Sequence, residues 1–132
     1  MKKRPLLPAG WLKPRGYANG VAVTGTQVYI AGQIGWNEEA RMTSDLFAEQ
    51  ATQALRNVLA VLREAGGKPE HLVRMTWYVT DKREYLAALK EIGQAFRELI
   101  GDYDIAMSAV QVVALIEDDA KVEIEATAVI TE

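Results

Sequence analysis

Residues 121–131 alternate with a period of two. Val122, Ile124, Ala126, Ala128 and Ile130 fall on one side, and Lys121, Glu123, Glu125 and Thr127 on the other. Successive side chains of a strand point to opposite faces, so the pattern predicts a strand with one covered and one uncovered face. The rest of the chain has to supply the cover. Two segments have the spacing for it. Phe47, Ala51, Ala54, Leu55, Val58 and Leu62 recur at three- and four-residue intervals, which predicts a helix capped by Thr43 or Ser44, running to about Ala65 and stopped by Gly66 and Gly67. Leu89, Ile92, Phe96 and Leu99 mark the inner face of a second helix ending near Ile100 before Gly101, with Asp81 and Glu84 spaced as a capping box at its start.

Between these lie further strands. Val21–Thr24 and Gln27–Ala31 are short β-rich runs, with Gly25 placed for a hairpin turn. Leu72–Thr80 and Ser108–Leu115 are also rich in branched and aromatic residues. Residues 1–16 hold three of the four prolines and read as an extended arm, and residues 1–132 read as one domain without a linker. The order is β-β-α-β-α-β-β, and two helices can cover one face of a single sheet. The other face carries branched residues and carboxylates. It is either an open face in water or a surface covered by self-association.

Composition removes several functions. The chain has no cysteine, which excludes disulfides, thiolate nucleophiles and thiolate metal sites. One histidine, His71, excludes a multi-histidine metal centre. A net charge of -3 gives no broad footprint for nucleic acid. No apolar run resembles a signal or membrane segment, so a cytoplasmic protein is expected.

Several short motifs occur in a telling order. They are Gly16–Gly20 around Tyr17, the run Tyr29–Ile34 containing Gly32 and Gln33, Glu64-Ala65-Gly66 at a helix end, Val73–Asp81, and the closing Val122–Ala126 with Glu123. Each is weak alone. Together, over roughly residues 16–130, they resemble the RidA/YjgF family of reactive-intermediate deaminases. The resemblance implies a chorismate-mutase-like (YjgF-like) α+β domain with a six-stranded type of mixed sheet. It further implies a homotrimer with small-molecule pockets between subunits, and hydrolysis of imines or enamines without a cofactor.

The same resemblance assigns roles. Glu123 matches the glutamate that positions or activates water, with a solvated or salt-bridged strand carboxylate as the alternative. Tyr17 matches the tyrosine lining the pocket from the arm, and otherwise packs at a subunit contact. Gly32 matches the glycine whose backbone approaches the ligand, and Ala109 offers a backbone N–H. The family's P-A-R-x-x-V motif falls on Ile105–Val110, where Met107 occupies the arginine position. A thioether cannot replace the planar fork that grips a carboxylate. Weak or absent activity on 2-imino acids such as 2-iminopropanoate follows, the more so with Glu123 repelling a carboxylate. The helix pattern N-x-x-Y-x-x-F-F departs too, reading Leu89, Ile92, Ala95 and Phe96. Arg15, two residues from Tyr17, is the one candidate for a replacement cation, although a solvated arm residue is the plainer reading. Trp36 either caps the pocket mouth or packs at an interface.

Two functions stay open at this point. One is an imine or enamine hydrolase for a substrate without the usual carboxylate. The other is a trimeric binder of a small apolar or aromatic metabolite that does not turn it over. Some family members carry an endoribonuclease label, which the acidic composition and single histidine do not favour.

Overall fold

The computed structural model describes residues 3–131. Six strands and three helices follow in the order β1 (Arg4–Pro5), β2 (Val21–Ala22), β3 (Thr26–Gln33), α1 (Phe47–Glu64), β4 (Leu72–Val79), α2 (Lys82–Ala87), α3 (Leu89–Leu99), β5 (Ala106–Gln111) and β6 (Val122–Ile130). The main sheet is mixed, in the order β3-β6-β4-β5, with β6 antiparallel to both neighbours and β4 parallel to β5. The α2–α3 segment makes the crossover that a parallel pair requires.

The closing strand does what its alternation demands. Val122, Ile124, Ala126 and Ala128 are buried beneath the helices, while Glu123, Glu125 and Thr127 are only partly covered on the far side. On β4, Met75, Trp77 and Val79 join the covered face, and Thr76 and Tyr78 join the other. α1 packs along β6 and β3, and buries Leu55, Val58 and Leu62 completely. Its end is a Schellman motif. Gly66 adopts φ +77°, Gly66 N–H donates to the Arg63 carbonyl at 2.9 Å, and Gly67 N–H donates to the Leu62 carbonyl at 3.1 Å.

The structure departs from the sequence reading in four places. β2 does not form a hairpin with β3. It pairs with β1 from the arm, Arg4 opposite Ala22 and Pro5 opposite Val21, so the six strands divide into a four-stranded sheet and a two-stranded ribbon. Gly25 instead lets two backbones meet, because a Cβ there would overlap the Ile130 carbonyl. The start of α1 is not capped by Thr43 or Ser44. Leu46 holds the cap position, and the Ser44 hydroxyl accepts from Leu46 N–H at 3.0 Å, a residue too early to serve the helix. The second helix is broken at Ala88, and the capping box does not close. Asp81 accepts from Arg83 N–H at 2.8 Å, while Glu84 reaches away to Lys121 at 3.2 Å. Finally, β5 begins two residues earlier than expected and stops at Gln111. Val112 N–H still donates to the Val79 carbonyl at 2.8 Å, and the chain then leaves the sheet, with the side chains of Val113 and Ile116 fully exposed.

Among the described residues no helix is long and apolar enough to cross a membrane.

Candidate functional site

The covered half of the sheet is not filled evenly. α1 seals the β3–β6 side, but α3 stands off from β5. A cavity of about 710 Å³ remains between them. Trp77, Met107 and Ala109 form its sheet wall, Leu89, Ile92, Gly93, Phe96 and Arg97 its helix wall. Tyr85 adds to the lining, and its ring stands 6.2 Å from those of both Trp77 and Phe47. Burial pushes the Tyr85 hydroxyl above its ordinary value. The Trp77 indole N–H is buried without a hydrogen-bond partner among the described residues.

The arm and one loop complete the walls. Ala18 is buried, and its N–H donates to the Ile105 carbonyl at 2.9 Å, which lays the arm along the outer edge of β5. The arm thereby covers the start of the β5 edge at Ala106, while Ser108–Gln111 remain exposed. Arg15, Gly16 and Tyr17 are carried to the cavity by this contact. The Gly101–Tyr103 loop lines it from the end of α3. Lys3 pins that loop. Its Nζ donates to the carbonyls of Leu72 at 2.8 Å and Asp104 at 3.0 Å, and lies 5.6 Å from the centre of the Tyr103 ring. Burial pulls the Lys3 ammonium below its usual value, against the opposing pull of Asp104 and Glu70.

The residues singled out from sequence therefore fall into two groups. Arg15, Tyr17, Met107 and Ala109 line the cavity. Glu123 and Gly32 lie together on the opposite, uncovered face. β3 carries a bulge between Ile30 and Gln33, and a Cβ on Gly32 would overlap the Glu123 carboxylate, so glycine gives that side chain room to lie there. Register explains the separation. Met107 pairs with Met75 on the helix side, whereas Glu123 pairs with Tyr78 on the other. Strand β4 stands between them. Within a single chain Glu123 does not face Met107, contrary to the expectation that it lies close enough to repel a ligand there.

The open face has its own polar cluster. The Tyr78 hydroxyl donates to Glu125, and this hydrogen bond is the main reason that hydroxyl is held above its ordinary value, with burial and the charges of Glu125 and Glu123 adding to it. Arg74 pulls the other way. Arg74, Thr76, Glu125 and Thr127 line a shallow hollow of about 400 Å³ on this face with Tyr29 and Ala31.

Trp36 does not line the cavity. It bridges to Met42 in its own loop, and its carbonyl accepts from Asn57 Nδ2 at 2.8 Å. His71 Nδ1 accepts from Lys68 N–H at 2.9 Å and closes the turn before β4. The sequence reading missed Trp77, Tyr85, Gly93, Arg97 and Tyr103. The signal available was a glycine in the middle of an amphipathic helix, a costly residue there unless space is needed.

Comparison with known proteins agrees with this architecture. The family model described as Endoribonuclease L-PSP matches residues 12–130. A RutC family protein of Aquifex aeolicus is 37% identical over 114 residues, covering 86% of this chain and 87% of its own. The 2-iminobutanoate/2-iminopropanoate deaminase of Escherichia coli is 34% identical over 113 residues, 86% of each chain. Among solved structures, a Rid-family protein of unknown function from Yersinia pestis, YyfB, superposes with a TM-score of 0.85 at 32% identity, covering 98% of this chain and 100% of its own. The motifs at Tyr17, Gly32 and Glu123, the mixed sheet under paired helices and these matches agree: the chain belongs to the Endoribonuclease L-PSP family, also known as RidA/YjgF.

Proposed function

We propose that this chain is a hydrolytic deaminase of reactive imines or enamines, acting as a cytoplasmic homotrimer. In it, the uncovered sheet faces meet and each Glu123 serves a neighbour's cavity. The observation that carries the reading is the division of the site. One chain holds a lined cavity at the β5 edge, and separately a carboxylate lying against Gly32 on a face that its own helices do not cover. A second copy is the simplest way to bring the two halves together.

The chemistry needs only water and a proton carrier. A Glu123 carboxylate accepts a proton from water as the oxygen bonds to the imine carbon. The electron pair of the C=N bond moves to nitrogen, which takes up a proton. The carbinolamine then collapses to a carbonyl compound and ammonia. General acid–base assistance of this kind contributes about 10²–10⁴-fold. Tyr17 and the Ala109 N–H orient the substrate, and Gly32 lets its backbone approach.

Met107 narrows the substrate. In a 2-imino acid the carboxylate sits on the carbon next to the imine, and here that end meets a thioether. Loss of a buried charge partner costs about 2–5 kcal/mol. Turnover of 2-iminopropanoate is therefore weak or absent, and the preferred imine carries no carboxylate beside the reacting carbon. The aromatic lining equally favours a second reading, a trimeric binder of an apolar or aromatic metabolite without turnover.

The test is Glu123→Gln, assayed for ammonia release from a panel of imines that carry no carboxylate beside the reacting carbon, generated from primary amines by a flavin amine oxidase, with assembly followed by light scattering. The hydrolase reading requires the wild type to exceed the buffer rate and the variant to lose that excess while the trimer persists. A wild type that never exceeds buffer leaves the binder. A monomer in solution removes both. Met107→Arg is the companion: gain of 2-imino acid turnover is expected if the rest of the site is competent.

A further inference from the structure

The cavity has an arginine that neither the motif nor the sequence reading assigned. Arg97 comes from α3, in the helix wall facing Met107 and Trp77. Arg15 from the arm lines the same cavity. Neither takes part in an ion pair among the described residues, where the salt bridges are Arg83–Asp81 and Lys121–Glu84. Asp102 also lines the cavity, but it lies beyond ion-pair distance of both arginines. Most of the remaining lining is apolar or aromatic: Trp77, Tyr85, Ile92, Phe96, Tyr103 and Met107.

Gly93 is the second observation. It precedes Arg97 by four residues, so the two stand one above the other on the same helix face. A Cβ at Gly93 would lie 3.3 Å from the Arg97 guanidinium, closer than such contacts normally come. The missing side chain leaves the guanidinium room to lie across the helix. Glycine inside a helix destabilises it by about 0.5–1 kcal/mol relative to alanine. Here that residue lines the cavity and leaves the guanidinium room.

The geometry points to Arg97 as the anion anchor of this cavity, with Arg15 beside it, and to a carboxylic acid with an aromatic or branched apolar body as the ligand. The carboxylate meets the guanidinium groups at the helix and arm walls, and the body lies against Trp77, Phe96 and Met107. A planar guanidinium fork matches a carboxylate, and a thioether packs well on an aromatic ring. The inference rests on the cavity being the ligand site, which the hydrolase and binder readings share. It adds where the charge goes: away from the strand position that Met107 occupies, and so away from the imine carbon.

The test compares 3-phenylpropanoate with its uncharged amide, by calorimetry on the assembled wild-type protein at low salt. Arg97 and Arg15 are both exposed, so water screens the charge-assisted hydrogen bond, and the acid is expected to bind about three- to tenfold more tightly than the amide. Arg97→Gln brings that ratio close to one, and Arg97→Lys restores only part of it, because a point charge lacks the fork. Gly93→Ala, which crowds the guanidinium without removing it, lowers the ratio and guards against a folding defect in the first variant. Acid and amide binding equally to the wild type would overturn the anchor, as would a ratio unchanged in Arg97→Gln. So would no binding of either compound. In each case, Glu123-dependent hydrolysis of an uncharged imine would show that the function stands and only the anchor has failed. Absence of hydrolysis together with no binding of either compound would remove the cavity reading as well.

Discussion

α1 and α3 are both amphipathic, both packed on the same sheet face, and they end in different states. α1 buries Phe47, Gln50, Ala51, Ala54, Leu55, Val58, Leu59 and Leu62. α3 buries Ile92 alone, and leaves Leu89 45% exposed. The difference comes from what lies underneath. α1 sits over β3 and β6, which are long, paired over most of their length and small-to-medium in side chain where they meet it. α3 faces β5, a six-residue edge strand whose inward residues are Met107 and Ala109. The first half of the molecule is close-packed and carries stability. The second half keeps a gap, the candidate site.

The sharpest way to break this comparison is to remove one side chain from each helix. Leu55 is fully buried in the packed half. Leu55→Ala is expected to cost about 3–5 kcal/mol, because it combines lost transfer energy with a cavity that rigid neighbours cannot fill. Phe96 is only partly buried, at the edge of a space that already exists. Phe96→Ala is expected to cost about 1 kcal/mol despite the larger group removed, since less area leaves water on folding. Urea unfolding of both variants measures the difference. Equal losses would mean that α3 is packed as tightly as α1.

A polar pin sharpens the same contrast. Gln50, on α1, is the buried polar side chain of the described residues. Its Nε2 donates to the carbonyls of Ser44 at 2.9 Å and Asp119 at 3.0 Å, and its Oε1 accepts from Lys121 N–H at 2.8 Å. One amide thus ties the approach to α1 to the approach to β6. Gln50→Ala leaves three backbone groups without their partner, and a loss of about 2–3 kcal/mol is expected in the same unfolding experiment. A loss below about 0.5 kcal/mol would show that water reaches these groups and that the packed half is looser than its geometry implies.

The two halves were also unequally legible in the sequence. Period-two alternation at 122–130 and the helical spacing at 47–62 express burial, and burial is strongest where packing is complete. The fold class, α1 and β6 were readable for that reason. The Val21–Thr24 strand was misassigned to a hairpin because pairing partners are set by register. Nothing local distinguishes Arg4–Pro5 from β3 as its neighbour. The break at Ala88 was hidden because the apolar spacing continues across it. At the site, Tyr17, Met107 and Ala109 came from motif positions, and the structure gathers them at one cavity. Trp77 and Arg97 did not, because a cavity is a failure of elements to touch, and periodicity reports only where they do. That Glu123 faces away from Met107 follows from a register two strands wide, which no single segment encodes.

The smallest effect lies in the alkaline limb of stability. Tyr85 belongs to the gapped half, yet burial holds its hydroxyl above the ordinary value of 10.0. The unfolded chain loses this proton first as pH rises, so the folded state binds more protons between the two values, and stability falls with pH in that window. Below pH 10 the group is neutral in both states and contributes nothing. Lys3 acts in the opposite sense, because burial lowers its value and the folded state gives up that proton earlier. The net slope of the wild type therefore mixes the two. Tyr85→Phe isolates the tyrosine: its stability difference from wild type should be flat from pH 7 to 9 and should shift in favour of phenylalanine above about pH 10. An unchanging difference across that range would mean that the Tyr85 hydroxyl already meets water through the cavity, and that the gapped half is open to solvent where its geometry shows it covered.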